Sequence, residues 1–262
     1  MSLHEEQVSR LSAMLLEAMT GHNPLKAFSG EYPALSYDDA YSIQLKTIRA
    51  RVQAGATVVG WKVGLTRRAA QDRMDLHEPI YGTILNDMVV REQATIQMGG
   101  LLAPKIEAEI AFFLGEDLEG PGVNAGRVIK ATAGVMPAFD IVDSRFADPS
   151  VNLKDVISDN VAAAFIVLGG KLTPANDADL RYVGLAFEKN GTLLATAAGA
   201  EVLDNPAQSV AWLANKLHGH GLTLRKGQFV MSGSLVPGVE VAADSHFIAT
   251  FDRLGSVSVR FK

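Results

Sequence analysis

The 262-residue chain contains no cysteine. That excludes a disulfide framework, a thiolate nucleophile and any cysteine-held zinc or iron–sulfur site. It also lacks a long basic run: 24 Lys and Arg face 29 Asp and Glu, for a net charge of −5. Such a balance argues against a nucleic-acid partner. It suits an anionic substrate only where a metal or a few Lys/Arg supply positive charge locally. The longest apolar run, Val161 to Leu168, is far too short to span a bilayer. The chain opens with His4, Glu5, Glu6 and Arg10, not the basic stub and apolar core of a signal peptide. The expectation is a soluble, cytoplasmic protein that engages neither nucleic acid nor membrane.

Two further motifs are missing. Gly120-Pro121-Gly122-Val123-Asn124-Ala125-Gly126 places its third glycine one position late for a dinucleotide loop, and reads as a turn capping the helix that follows. Met231-Ser232-Gly233-Ser234-Leu235 has the wrong spacing for a nucleophile elbow. What the chain does have is apolar material, 48% of its residues, enough for a sizeable core.

The most informative stretch is Pro104-Lys105-Ile106-Glu107-Ala108-Glu109-Ile110-Ala111-Phe112-Phe113. It reads as a strand whose Ile106, Ala108, Ile110 and Phe112 face a core. Side chains alternate along a strand, so Glu107 and Glu109 point to the same opposite face. Two ionised carboxylates on one partly buried face repel, and desolvation adds to the cost. A hard divalent cation would neutralise them; a solvated sheet edge would do so as well. Asp140, inside Pro137-Ala138-Phe139-Asp140-Ile141-Val142, could complete a three-carboxylate set for Mg²⁺ or Mn²⁺. It could equally cap a turn or pair with Arg145. Lys62, between Trp61 and Val63, reads either as a buried proton carrier or as a lysine snorkelling at a strand end. Ser158-Asp159-Asn160 is a substrate-binding loop or simply a turn into a strand. His218 and His220 read as helix C-terminal dipole partners, and Met14, Met19 and Met74 as core filling.

Periodicity places helices around Leu11 to Met19 and from the Ser36 cap through Ile48 toward Gly55. Residues 1–56 are expected to form a helical cap and 57–262 a catalytic body. Strands are expected at Thr57–Val63, Ile106–Leu114, Pro137–Val142, Val161–Leu168, Leu180–Glu188, Thr192–Thr196, Phe229–Met231, His246–Phe251 and Val257–Phe261. Asn190-Gly191 signals a hairpin, and Pro206–Leu217 an amphipathic helix with Val210, Leu213 and Leu217 inside. Strands joined mostly by turns argue against a doubly wound sheet. The fold class expected is α+β, a mixed β-roll or sandwich wrapped by a few helices.

Taken together, Gly60-Trp61-Lys62-Val63-Gly64-Leu65-Thr66, the Pro104–Ile110 stretch, Asp143-Ser144-Arg145, Ser158-Asp159-Asn160, Glu188-Lys189-Asn190-Gly191, Asn205-Pro206, Val210–Leu217 and Leu254–Phe261 resemble the 2-keto-4-pentenoate hydratase and 4-oxalocrotonate decarboxylase group of the fumarylacetoacetate hydrolase superfamily. The resemblance implies a β-roll like the fumarylacetoacetate hydrolase C-terminal domain, a Mg²⁺ or Mn²⁺ cofactor and homo-oligomers. It also implies a lyase of meta-cleavage aromatic degradation, with possible association with a neighbouring pathway enzyme. Its substrate would be a small anionic 2-oxo- or 2-hydroxy-dienoate. By position it makes Glu107, Glu109 and Asp140 metal ligands, Lys62 the catalytic lysine, and Leu65, Tyr81, Asp159, Asn160 and Ser234 substrate contacts.

Three departures stand out. Asp140 replaces the group's usual Glu. Pro79-Ile80-Tyr81-Gly82 lacks the acid that hydratases carry before the aromatic residue, as decarboxylases do. Val161, Ala162 and Ala163 replace small hydroxyl residues. The expected activity is hydration of 2-hydroxypenta-2,4-dienoate or a close analogue, with 4-oxalocrotonate decarboxylation as the alternative. A C–C bond hydrolase or an inactive binding homologue are further alternatives.

Overall fold

The computed structural model describes residues 3–262. Three helices come first: α1 (Glu5–Gly21), α2 (Phe28–Glu31) and α3 (Tyr37–Gln53). A capping box starts α3: Ser36 Oγ accepts from Asp39 N–H at 3.1 Å, and Asp39 Oδ2 accepts from Ser36 N–H at 3.0 Å. These helices share an apolar cluster of Val8, Leu11, Leu15, Phe28, Leu35, Ile43 and Phe146. Ala40 and Tyr41 of α3 reach into the main core. No helix among the described residues is long and apolar enough to cross a membrane.

The remaining chain runs β1 (Val58–Gly64), α4 (Arg68–Arg73), β2 (Ile80–Leu85), β3 (Val89–Val90), β4 (Thr95–Ile96), β5 (Lys105–Leu114), α5 (Ala125–Ala131), β6 (Thr132–Val142), α6 (Leu153–Ser158), β7 (Ala163–Leu168), β8 (Gly184–Lys189), β9 (Thr192–Ala198), α7 (Pro206–His218), β10 (Phe229–Met231), β11 (Val239–Glu240), β12 (His246–Phe251) and β13 (Gly255–Phe261). One sheet has the order β2-β1-β10-β5-β6-β7-β3, with β11 added on β5; the other has the order β4-β13-β12-β8-β9. The mixed sheets and the N-terminal helices agree with the α+β roll read from the sequence.

Strand β5 divides the interior. Ile106, Ala108, Ile110 and Phe112 are fully buried, as their alternation required, in the core that joins the two sheets and α7. In that core Phe139, Phe187, Phe247 and Phe261 form a chain of rings with centroids 5.8, 5.8 and 5.9 Å apart. The opposite face of the large sheet turns Ile84, Ala111, Ala138, Ile166, Phe229 and Met231 into a second cluster, in line with Glu107 and Glu109. Helix α7 buries Val210, Leu213 and Leu217, and Asn205 caps it by accepting from Ala207 N–H at 3.0 Å.

Several expectations needed correction. The strand expected from Val161 begins at Ala163, because Asn160, Val161 and Ala162 all adopt the left-handed conformation (φ 53°, 54° and 53°). The strand expected from Leu180 begins at Gly184. Strand β2 was not anticipated: all six of its residues are buried, so it carries no polar alternation to read. Met74 is 45% exposed rather than core filling. The Asn190-Gly191 hairpin formed with positive φ at both residues (52° and 77°), the requirement of a type I′ turn. Asn124 caps α5, accepting from Arg127 N–H at 3.0 Å.

Phe187→Ala would remove the middle of the aromatic chain and leave a cavity between the sheets. A loss of about 3–5 kcal/mol is expected, read as a lowered denaturant midpoint at unchanged slope.

Candidate metal centre and its lysine

Register builds the site. Strands β5 and β6 are antiparallel, with Glu107 directly opposite Asp140 and Glu109 opposite Ala138. Cross-strand partners and i,i+2 neighbours share one face, so the three carboxylates converge. One oxygen from each lies within 4.8 Å of the others. Asp140, a methylene shorter than glutamate, still reaches the group. Glu109 and Asp140 are buried, while Glu107 is partly open.

Lys62 comes from β1, three places from β6 in the sheet order. In a flat sheet their backbones would stand roughly 14 Å apart, at about 4.8 Å per strand. Yet Lys62 Nζ lies 2.6 Å from Asp140 Oδ2, so the face bearing both is concave. Lys62 is 2% exposed, which removes the reading as a snorkelling strand-end lysine. Its Nζ also donates to the Val161 carbonyl at 3.1 Å. Glycines clear the space: a Cβ on Gly82 would fall 2.8 Å from Asn160 O and 3.2 Å from Lys62 Cγ. Gly233, at φ 101°, donates its N–H to Glu109 Oε2 at 2.8 Å.

Electrostatics sharpen the picture. Three carboxylates face one ammonium, leaving two net negative charges out of water. Burial, then the charge of Asp140, pushes the Glu107 carboxyl up to about 7, against the opposing pull of Lys62, Arg67 and Lys105. Burial, Asp140 and Glu107 raise Glu109 well above the usual range. Burial also raises Asp140, countered by Lys62. Asp140 Oδ1 is buried without a hydrogen-bond partner among the described residues. An all-oxygen donor set with unspent negative charge fits a hard divalent cation.

The other expected site residues fall in different places. Asp159 and Asn160 are buried and fully engaged with protein. Asp159 Oδ2 accepts from Arg145 N–H at 2.8 Å, and its Oδ1 forms an ion pair with Arg145 Nε. Arg145 also donates to the carbonyls of Asp143, Ala163 and Asp159 at 2.8, 2.9 and 2.6 Å. Asn160 brackets Thr83, accepting from its N–H and donating to its carbonyl, each at 2.8 Å. Their side chains therefore hold the left-handed turn that carries Val161. The same network corrects the idea that Arg145 pairs with Asp140. Tyr81 points away from Lys62 and stacks on Tyr41 with centroids 4.5 Å apart, so its ring is not in the site. Leu65 lies three residues beyond Lys62 with φ 56°. Ser234, beside Gly233, donates to Val236 O at 2.6 Å. His220 sits 6.2 Å from the Tyr81 ring, away from the carboxylates.

Reasoning from the sequence missed Arg145 and the Gly233 N–H. The run Asp143-Ser144-Arg145 was visible, but its partner lies 14 residues ahead, and a backbone donor leaves no sequence signal. Ile80 is buried on the same face as Gly82, so an apolar side chain and no acid stands there.

The curled mixed sheet thus presents three clustered carboxylates and a buried lysine on one face. The chain belongs to the Fumarylacetoacetate (FAA) hydrolase C-terminal family, which it matches over residues 49–262. It is 35% identical over 249 residues to 2-hydroxyhexa-2,4-dienoate hydratase of Comamonas testosteroni, covering 94% of each chain. It is 36% identical over 260 residues to 4-oxalocrotonate decarboxylase of Pseudomonas putida, covering 99% of this chain and 98% of that one. The solved structure of 4-oxalocrotonate decarboxylase from Pseudomonas putida G7, complexed with magnesium and adipate, superposes with a TM-score of 0.96 at 34% identity, over 99% of both chains.

Two outcomes are expected. Carboxyls whose proton affinity rises on folding hold protons more tightly in the folded state. Stability of chelator-treated protein should therefore fall as pH climbs from the ordinary 4.5 toward about 7. Added Mg²⁺ should raise the melting temperature more above that window than below it. Arg145→Ala would leave Asp159 buried and unpaired, with an expected loss of about 3–5 kcal/mol, measured by denaturant unfolding.

Proposed function

We propose that the chain is a cytoplasmic, divalent-metal-dependent lyase that hydrates 2-hydroxypenta-2,4-dienoate or a close analogue to a 4-hydroxy-2-oxo acid. Residues 1–56 would form a helical cap on the 57–262 body. The observation that carries this reading is the buried Lys62, 2.6 Å from an aspartate inside a three-carboxylate cluster. Glu107, Glu109 and Asp140 would hold Mg²⁺, or Mn²⁺ in its place. Bound there, the cation supplies Lewis acidity and open positions for the C1 carboxylate and C2 oxygen of a 2-oxo acid.

Lys62 does the proton work. Asp140 and the Val161 carbonyl fix its Nζ from two sides, which positions one amine over the reacting chain. The Nζ ammonium would give a proton to C5 and recover the one leaving the C2 hydroxyl, giving the 2-oxo-3-enoate. Its C4 is then electrophilic, and water adds there. Burial of the site keeps bulk water from competing for these protons.

Ile80 favours a second reading. With no carboxylate at that position to activate water, loss of a C5 carboxylate as CO₂ into the same conjugated system would need no base there. Decarboxylation of 4-oxalocrotonate is therefore the alternative. A C–C bond hydrolase draws no support here, because the cluster contains no histidine.

The test is to supply purified protein and Mg²⁺ with each compound while following ultraviolet absorbance and CO₂ release. Turnover of the pentadienoate is expected, abolished by EDTA, restored by Mg²⁺, and lowered about 10²-fold or more by Lys62→Ala. Turnover of 4-oxalocrotonate alone, with CO₂ produced, would reverse the choice.

A further inference from the structure

One loop backs both glutamates of the cluster. Strand β5 pairs with β10 at one end, Met231 opposite Ala111, and with β11 at the other, Val239 opposite Ile106. Between these two pairings the chain passes Glu109 and Glu107 on the side of β5 away from β6. A glycine of that loop meets each carboxylate. Gly233 donates its N–H to Glu109 Oε2 at 2.8 Å. Gly238, one step beyond the Val239–Ile106 pair, stands across from Glu107.

The contact at Gly238 is close. A Cβ there would lie 3.1 Å from Glu107 Oε1 and 3.2 Å from Glu107 Cγ. Unstrained carbon contacts begin near roughly 3.5 Å, so a methyl group would displace the Glu107 side chain by a few tenths of an ångström. Asp140 faces Glu107 across the other edge of β5. The displacement would therefore run toward Asp140 and narrow the donor set. Glu109 is held by the Gly233 N–H and Asp140 by Lys62, whereas Glu107 is the partly open member of the three. Its freedom to move lies on the side where Gly238 has no side chain.

Displacements of this size decide which cation fits. Oxygen ligands stand about 2.0–2.1 Å from Mg²⁺ and about 2.3–2.6 Å from Ca²⁺. We propose that Gly238 is a positioning residue that sets the largest ion the cluster accepts. With no side chain at this position, Glu107 can draw back from Asp140 and admit an ion as large as Ca²⁺ as well as Mg²⁺. Gly238→Ala would hold Glu107 inward and confine the site to small ions. This rests on the divalent-metal reading of the cluster and goes beyond it to what limits ion size.

The test titrates Mg²⁺ and Ca²⁺, each alone, calorimetrically into metal-free protein and into its Gly238→Ala variant. The unaltered protein should bind both ions. Gly238→Ala should weaken Ca²⁺ about tenfold or more while Mg²⁺ affinity stays within about threefold, because only the larger ion needs Glu107 drawn back. The φ of Gly238 lies outside the left-handed region, so the variant in EDTA should melt within about 4 °C of the unaltered protein. A Ca²⁺-to-Mg²⁺ affinity ratio that Gly238→Ala leaves unchanged would overturn the assignment and leave the metal reading standing. So would a variant that melts below that range, or unaltered protein that binds Mg²⁺ and not Ca²⁺. Unaltered protein that binds neither ion would refute the metal reading and the assignment with it.

Discussion

Charge balance inside the concave face is the constraint on which the rest depends. Three carboxylates and one ammonium share a space largely closed to water. Carboxylates so placed are raised in proton affinity and destabilise the fold unless protons or a cation compensate. A divalent ion matches the two unspent charges. Much of the local architecture serves that arrangement: the curl that brings β1 over β6, and glycines at 82 and 233 where a side chain would collide with the site's own atoms.

A single strand serves both stability and chemistry. Every second residue of β5 anchors the core between the sheets, and the residues between them carry the carboxylates. The site therefore stands on a strand packed into the core, where its geometry is held by packing. The core between the sheets on one face and the apolar cluster around Ile84, Ala111, Ile166 and Met231 on the other hold β5 from both sides.

The left-handed turn at 160–162 holds three successive non-glycine residues against their backbone preference. Val161, a β-branched residue, is disfavoured there. Arg145 and Asp159 clamp the turn from behind and Asn160 ties it to β2. The result is a carbonyl aimed at Lys62. Strain held by surrounding structure beside a reactive group is a common feature of functional sites.

Much was legible in the residues alone. Alternation of period two put Glu107 and Glu109 on one face and their neighbours in the core, because strand geometry is local. The Asn190-Gly191 hairpin, the Ser36 cap and the buried face of α7 followed from equally local rules. Contacts between distant segments were decided only by tertiary structure. Neither the meeting of Lys62 with Asp140 nor that of Arg145 with Asp159 can be computed from spacing, because sheet order and curl set both distances. The burial of β2, the turning away of Tyr81 and the engagement of Asp159 and Asn160 were hidden for the same reason. Sequence determines which way a side chain points from its own strand; only the closed sheet determines what it meets there.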